Sequence, residues 1–102
     1  MSDSKTIVVT RHPALVDYLL EIGLIQPARY TVIEHAAIAD VAGKNVVGVL
    51  PLRLAAEAAT VTEVPLELAP EDRGQELSLE RLRAIAGKPV TYMVMACERE
   101  DV

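Results

Sequence analysis

Short apolar runs rich in β-branched residues alternate along this chain with segments of helical period, and that alternation restricts the fold more than any other property. Residues 6–10, Thr-Ile-Val-Val-Thr, predict a buried strand. In 14–22, Leu15, Tyr18, Leu19 and Ile22 fall on one helical face, with Gly23 as the stop. Residues 30–35 predict a second strand, 41–44 a glycine-containing turn, 45–50 a third strand and 52–59 an alanine-rich helix. Through 61–68 the apolar residues Val64, Leu66 and Leu68 alternate with others, giving a fourth strand. Ser78 caps a helix through Ala86, with Leu79, Leu82 and Ile85 inward and Gly87 at its end. Pro89 then precedes a last strand over 90–97, whose unbroken apolar run Tyr92-Met93-Val94-Met95-Ala96-Cys97 predicts burial. The tail 98–102 is acidic and expected to fray. Strands alternating with helices build a mostly parallel sheet with right-handed crossovers. The expected fold class is therefore α/β: one small Rossmann-like domain over 1–102, with a five-stranded sheet and flanking helices.

A chain of 102 residues supports one core and not two. It is 51% hydrophobic, yet it has three Tyr and no Phe or Trp, so the core must be aliphatic. The net charge of −5 argues against a protein that coats DNA or RNA, because such binding relies on many cations neutralising phosphates. Few aromatics also weaken single-strand binding by base stacking. Any anionic ligand must be met by a few placed arginines. The polar start and the short first apolar run, stopped at Arg11, predict neither a signal peptide nor a membrane span, hence a cytoplasmic protein. Cys97 is the single cysteine and has no intrachain partner; it reads as an inert core thiol.

The chain carries no GxGxxG, no P-loop and no CxxC, so it gives no support to a dinucleotide, nucleoside triphosphate or zinc cofactor, and no cofactor is expected. His12 and His35 are separated by a whole helix, no metal site is expected, and Glu34-His35 reads as a structural pair. Ser2, Ser4 and Ser78 sit at the terminus or at a helix cap, which leaves no serine nucleophile.

What remains is Thr10-Arg11-His12-Pro13, a cation and an imidazole where the first strand becomes a helix. In an open α/β sheet that junction is a usual anion site, and Pro13 suits the first helical turn. Two further junctions repeat the pattern: Val49-Leu50-Pro51-Leu52-Arg53 after the third strand and Pro70-Glu71-Asp72-Arg73-Gly74-Gln75-Glu76 after the fourth. Each puts an arginine just past the carboxyl end of a strand, so Arg11, Arg53 and Arg73 are expected to converge on one crevice. The plain alternative is that they are solvated loop residues. Lys44 precedes the third strand, on the opposite edge, and Arg81 belongs to a helix surface. Imidazoles move protons near neutrality, and guanidinium groups hold a phosphate bidentately and steady its extra charge in a transition state.

Ile-Val-Val-Thr-Arg-His-Pro at the start, Gly48-Val49-Leu50-Pro51-Leu52-Arg53-Leu54-Ala55-Ala56 in the middle and Arg73-Gly74-Gln75-Glu76-Leu77-Ser78 later jointly resemble a small family of type III CRISPR accessory proteins similar to ring nucleases. Ring nucleases degrade cyclic oligoadenylate messengers and so switch off the effectors those messengers activate. The resemblance implies cleavage of cyclic oligoadenylate, of four adenylates above all, by attack of a ribose 2′-hydroxyl on its own phosphodiester without a metal. It assigns Arg11 and Arg73 to the phosphate, His12 to proton transfer or hydroxyl orientation, and Arg53 to binding. Thr10, Pro51 and Leu52 would shape the crevice, and Glu76 would orient an arginine or stand solvated at the helix start. The family's middle block often carries a histidine where this chain has Arg53, so that position either catalyses or only binds. The resemblance also implies a homodimer; neither DNA nor a membrane is expected as a partner, on the net charge and the short apolar runs. A protein that only sequesters the ring would use the same arginines. Arg-His after the first strand is also similar to histidine phosphatases, although Pro13 replaces the glycine that usually follows there.

Overall fold

The computed structural model of the chain describes residues 5–100; Ser2, Ser4 and the last two residues of the acidic tail lie outside them. Five strands, β1 (Thr6–Val9), β2 (Tyr30–Ile33), β3 (Asn45–Gly48), β4 (Thr60–Glu63) and β5 (Val90–Tyr92), form one sheet in the order β2-β1-β3-β4-β5. The first four run parallel, with Val8 beside Val32 and Val47 and Val46 beside Val61. β5 pairs antiparallel with β4 at the edge, where the Thr62 and Thr91 hydroxyls stand 2.8 Å apart. The expected α/β class with a mostly parallel five-stranded sheet is what the chain adopts.

Helices cover both faces. α1 (Pro13–Glu21) and α4 (Leu79–Ile85) pack together on one, while α2 (Ile38–Val41) and α3 (Leu52–Ala55) make the other crossovers. Central strands covered on both faces carry apolar residues on both sides of the pleat, which sends alternate residues to opposite faces. Ile7, Val46 and Val61 accordingly join Val41, Ala55 and Ala58 in one cluster, and Val8 and Val47 join Leu19 and Ile25 in the other. A third cluster, Leu77, Leu82 and Ile85, seats α4 against Leu15 and Tyr18 of α1.

Local chemistry sets the helix ends. Ser78 Oγ accepts from the Arg81 backbone N–H at 3.0 Å, the expected cap of α4. α1 stops where Gly23, at φ +77°, donates to Leu20 O and Leu24 N–H reaches back to Leu19 O, a Schellman closure. α2 was not expected; it is one turn whose start is tied by Asp40 Oδ2 accepting from Ala37 N–H at 2.8 Å.

Besides α2, five elements differ from the sequence expectation, the least of them β2, which ends at Ile33 and not at His35. The helix expected over 52–59 is only the single turn α3, because the chain after Ala55 turns back so that Ala59 N–H meets Lys44 O at 2.8 Å. β3 ends at Gly48, whose φ of +141° leaves the strand conformation. β4 ends at Glu63 before Pro65, which lacks the N–H a further ladder would need. Residues beyond it are held instead to the end of α4, with Gly87 N–H donating to Pro65 O at 2.7 Å and Leu66 bridged to Ala86. The last strand is short and not buried: Val90, Thr91 and Tyr92 are all exposed. Cys97 is an exposed free thiol, not a core one, because its segment runs on past the sheet instead of through it.

Candidate functional site

Chain order and strand order part company between β1 and β3: α1 carries the chain from β1 outward to β2, and α2 brings it back across β1 to β3. Loops leaving the carboxyl ends of two such neighbours diverge to opposite faces and leave a crevice between them. A cavity of about 460 Å³ lies there, walled by Thr10, Arg11 and His12 after β1, Gly48 and Val49 at the end of β3, and Glu34 after β2. A Cβ on Gly48 would sit 2.5 Å from Val9 O, so only glycine lets β1 and β3 approach at the cavity floor.

The loop carrying Arg11 is fixed from within. Thr10 N–H donates to Ile33 O at 3.1 Å, which continues the β1–β2 ladder, and Thr10 Oγ1 accepts from His12 N–H at 3.1 Å. His12 is the extended residue preceding α1, and Pro13 opens the helix. Arg11 and His12 are exposed and line two more hollows. One, about 360 Å³, is shared with Asp17, Val32 and Glu34. The other, about 480 Å³, is shared with Arg73, Gly74, Gln75 and Glu76.

Arg73 stands on a loop held by an ion pair that local sequence does not announce. A 3₁₀ turn, Pro70–Asp72, ends at Arg73 and Gly74. The Asp72 carboxylate, only 10% exposed, accepts from Arg81 Nε at 3.0 Å and from the second guanidinium nitrogen at 2.7 Å, and also from Ala69 N–H at 2.8 Å. The Arg81 hydrogen bonds and the Ala69 N–H hold the Asp72 carboxyl below the usual carboxylate range, and the Arg81 guanidinium is raised in turn. Arg81 is therefore not a bystander on a helix surface; it anchors the loop that carries Arg73. A second two-pronged pair, Arg83 to Glu21 at 2.8 and 2.6 Å, ties α4 to the end of α1 and lowers the Glu21 carboxyl likewise.

Thr10, Arg11, His12, Arg73 and Glu76 are thus gathered around one set of hollows, and of the middle block only Gly48 and Val49 reach it, while Pro51, Leu52 and Arg53 do not. Pro51 and Arg53 line a separate depression of about 570 Å³ beside Ala37 and Ile38, over the α2–α3 face. Leu52, 76% exposed, borders a further groove with Val49 and Tyr92. The expected convergence of three arginines is in fact that of two, because Arg53 lies on α3, where it borders the depression beside α2 and not the crevice. Glu34 is the residue that sequence reasoning set aside. It follows β2 directly, so the rule that selected the arginines, a position just past a carboxyl strand end, selects it as well. Gathered metal ligands, three or more His, Cys, Asp or Glu side chains, are absent among the described residues.

The comparisons with known proteins add one finding. A family model described as "Putative CRISPR-associated protein (Cas_VVA1548)" matches residues 7–95, which run from the second residue of β1 past the end of β5 and take in the residues lining the crevice. The chain belongs to this CRISPR-associated family. No curated protein and no solved structure matches it. Among the described residues no helix is long and apolar enough to cross a membrane.

Proposed function

We propose that this CRISPR-associated protein is a ring nuclease that opens cyclic oligoadenylate at the β1–β3 crevice. One observation carries the reading: Arg11 and His12 border the switch-point cavity and, on their other side, the hollow that holds Arg73. A phosphodiester laid across Arg11 would have guanidinium donors from two distant parts of the chain and an imidazole beside it. Guanidinium forks suit phosphate oxygens and hold the charge of a pentavalent phosphorane. CRISPR-family membership supports a messenger of that system as the substrate class.

In this reading a ribose 2′-oxygen forms a bond to the adjacent phosphorus as the bond from phosphorus to the 5′-oxygen breaks. The 2′-hydroxyl proton leaves and a proton arrives at the departing 5′-oxygen, so the products are a 2′,3′-cyclic phosphate and a 5′-hydroxyl. His12 moves or orients the proton, Arg11 and Arg73 hold the phosphate, Thr10 fixes the loop and Glu76 borders the entrance. Two copies related by a two-fold axis would suit a ring of four adenylates. The test is incubation of the protein with cyclic tetra-adenylate in EDTA, with products resolved by mass. Linear products ending in 2′,3′-cyclic phosphate are expected. A ring that is bound and returned intact makes the protein a sequestering one, and a ring neither bound nor cut overturns the reading.

A further inference from the structure

Opening a ring by 2′-hydroxyl attack moves two protons, one off the 2′-oxygen and one onto the departing 5′-oxygen. In-line displacement sets those two oxygens on opposite sides of phosphorus, so one imidazole cannot stand beside both. Glu34 is placed to be the second group. It borders the β1–β3 cavity and the hollow of about 360 Å³, and it shares both with Thr10, Arg11 and His12. Strand register puts it there. Val9 pairs with Ile33, and Thr10 N–H donates to Ile33 O, so Glu34 leaves the end of β2 as Thr10 leaves the end of β1. Adjacent strands lie about 4.8 Å apart, and the two segments therefore start from neighbouring points of one sheet edge. Other carboxylates fit less well. Asp72 is bound by Arg81, while Asp17 meets His12 in one of the three hollows and Glu76 in another. Glu34 meets it in two, and among the described residues it has no hydrogen bond or ion pair of its own.

A carboxylate repels the phosphate oxygens that Arg11 and Arg73 would hold, so it can turn only towards a hydrogen-bond donor of the ligand. On an adenylate ring the donors are the 2′-hydroxyls and the 6-amino groups. The 2′-hydroxyl sits on the sugar carbon next to the one that carries the scissile phosphate, whereas the amino group lies across the base. Dinucleotide-binding sheets hold a ribose 2′-hydroxyl with an acidic residue about 20 residues beyond the first strand–helix turn, and Glu34 stands at a like distance beyond Arg11. We infer that Glu34 is the general base of the crevice. Its carboxylate takes the proton of the attacking 2′-hydroxyl, and His12, as imidazolium, gives one to the departing 5′-oxygen. The bond from the 2′-oxygen to phosphorus forms as the bond from phosphorus to the 5′-oxygen breaks. The products are a 2′,3′-cyclic phosphate, a 5′-hydroxyl, a protonated Glu34 and a neutral His12, and proton exchange with water resets both side chains.

Glu34 has this role only if the crevice opens rings, and cleavage of cyclic tetra-adenylate by the unaltered protein decides that separately. Glu34→Gln keeps the size of the side chain and cannot serve as a base. It should lower single-turnover cleavage roughly 10²-fold or more, with ring affinity and melting point near their starting values, since the residue is exposed and unpaired. Asp17→Asn, in the same hollow, should cleave as before. A ring whose bridging 5′-oxygens are replaced by sulfur tells the two proton steps apart, because a thiolate departs without the proton that an alkoxide needs. On that ring the His12→Ala defect should largely vanish, and Glu34→Gln should stay slow by a similar factor. If the unaltered protein cuts the ring and Glu34→Gln cuts it equally fast, the general base lies elsewhere and the ring reading stands. A Glu34→Gln protein that cuts at full rate and binds more weakly makes Glu34 a reader of the base, and one that sulfur rescues makes it act at the leaving oxygen; either result overturns the inference. A ring that the unaltered protein leaves intact overturns the ring reading and this role with it.

Discussion

Arg11 and Arg73 are required by the proposed chemistry in different ways from His12, and substitution separates them. His12→Ala removes a proton-transfer group from a loop whose backbone is held by Thr10 and Pro13, so the loop should keep its shape. Single-turnover cleavage should fall roughly 10²-fold or more while ring affinity, measured by titration calorimetry, stays near the starting value. Unchanged cleavage would return His12 to a solvated helix-start residue. Arg73→Lys keeps the charge and loses the fork, so affinity should fall about tenfold to a hundredfold. Arg53→Ala, over the opposite face, is the control and should bind and cleave as before; equal losses at both positions would mean that the crevice is drawn wrongly. Gly48 is a constraint of another kind. Its φ of +141° and the 2.5 Å approach of a Cβ to Val9 O make Gly48→Ala both strained and crowded. A loss of about 1–3 kcal/mol is expected, read as a melting point lower by several degrees.

At the scale of elements, the 3₁₀ turn and α4 act as one bracket because Asp72 and Arg81 join them. Asp72 is lowered in the folded state, so its contribution is present above the ordinary carboxylate range and is lost as pH falls through its folded value. Asp72→Asn should lower the melting point near neutrality, and its difference from the unaltered protein should close as the pH drops below that range. A difference that stays constant with pH would show that the carboxylate charge is not what holds the loop. The elements also mark where sequence reading succeeds. β1 and β3 are legible because strands covered on both faces carry consecutive apolar residues, Ile7 to Val9 and Val46-Val47, and the Ser78 cap and the Gly23 stop are local signals with local consequences. Reading failed where a run's length was taken for an element's length. Gly48 and Pro65 cut β3 and β4 short, and the return of the chain to Lys44 cut α3 to one turn. It failed again at 92–97, since an apolar run reports what a segment would gain by burial and not whether the fold buries it. Of the candidate site, the first junction was legible from strand-end position; Arg73 lies well past the end of β4 and reaches the hollow on the loop that Asp72 and Arg81 hold, Arg53 sits on α3 away from it, and the Asp72–Arg81 pair rests on a contact between elements that no local pattern encodes.

For the whole molecule, a net charge of −5 and a crevice with two arginines set how binding should answer to salt. Proteins that coat nucleic acid displace many counterions and lose affinity steeply as salt rises, with a slope in log–log form of about −0.7 for each single-strand phosphate neutralised. Arg11 and Arg73 converging on one phosphate give a slope of about −0.7 when a single copy holds the ring, and about −1.4 when a two-fold pair of crevices holds two phosphates of the same ring. Titrating His12→Ala with cyclic tetra-adenylate over a series of potassium chloride concentrations measures that slope without turnover. The proposed pairing of two copies around one ring predicts the steeper value. A slope of −3 or beyond would mean that the acidic molecule meets its ligand through many more cations than this crevice contains, and binding at the β1–β3 switch point would have to be abandoned.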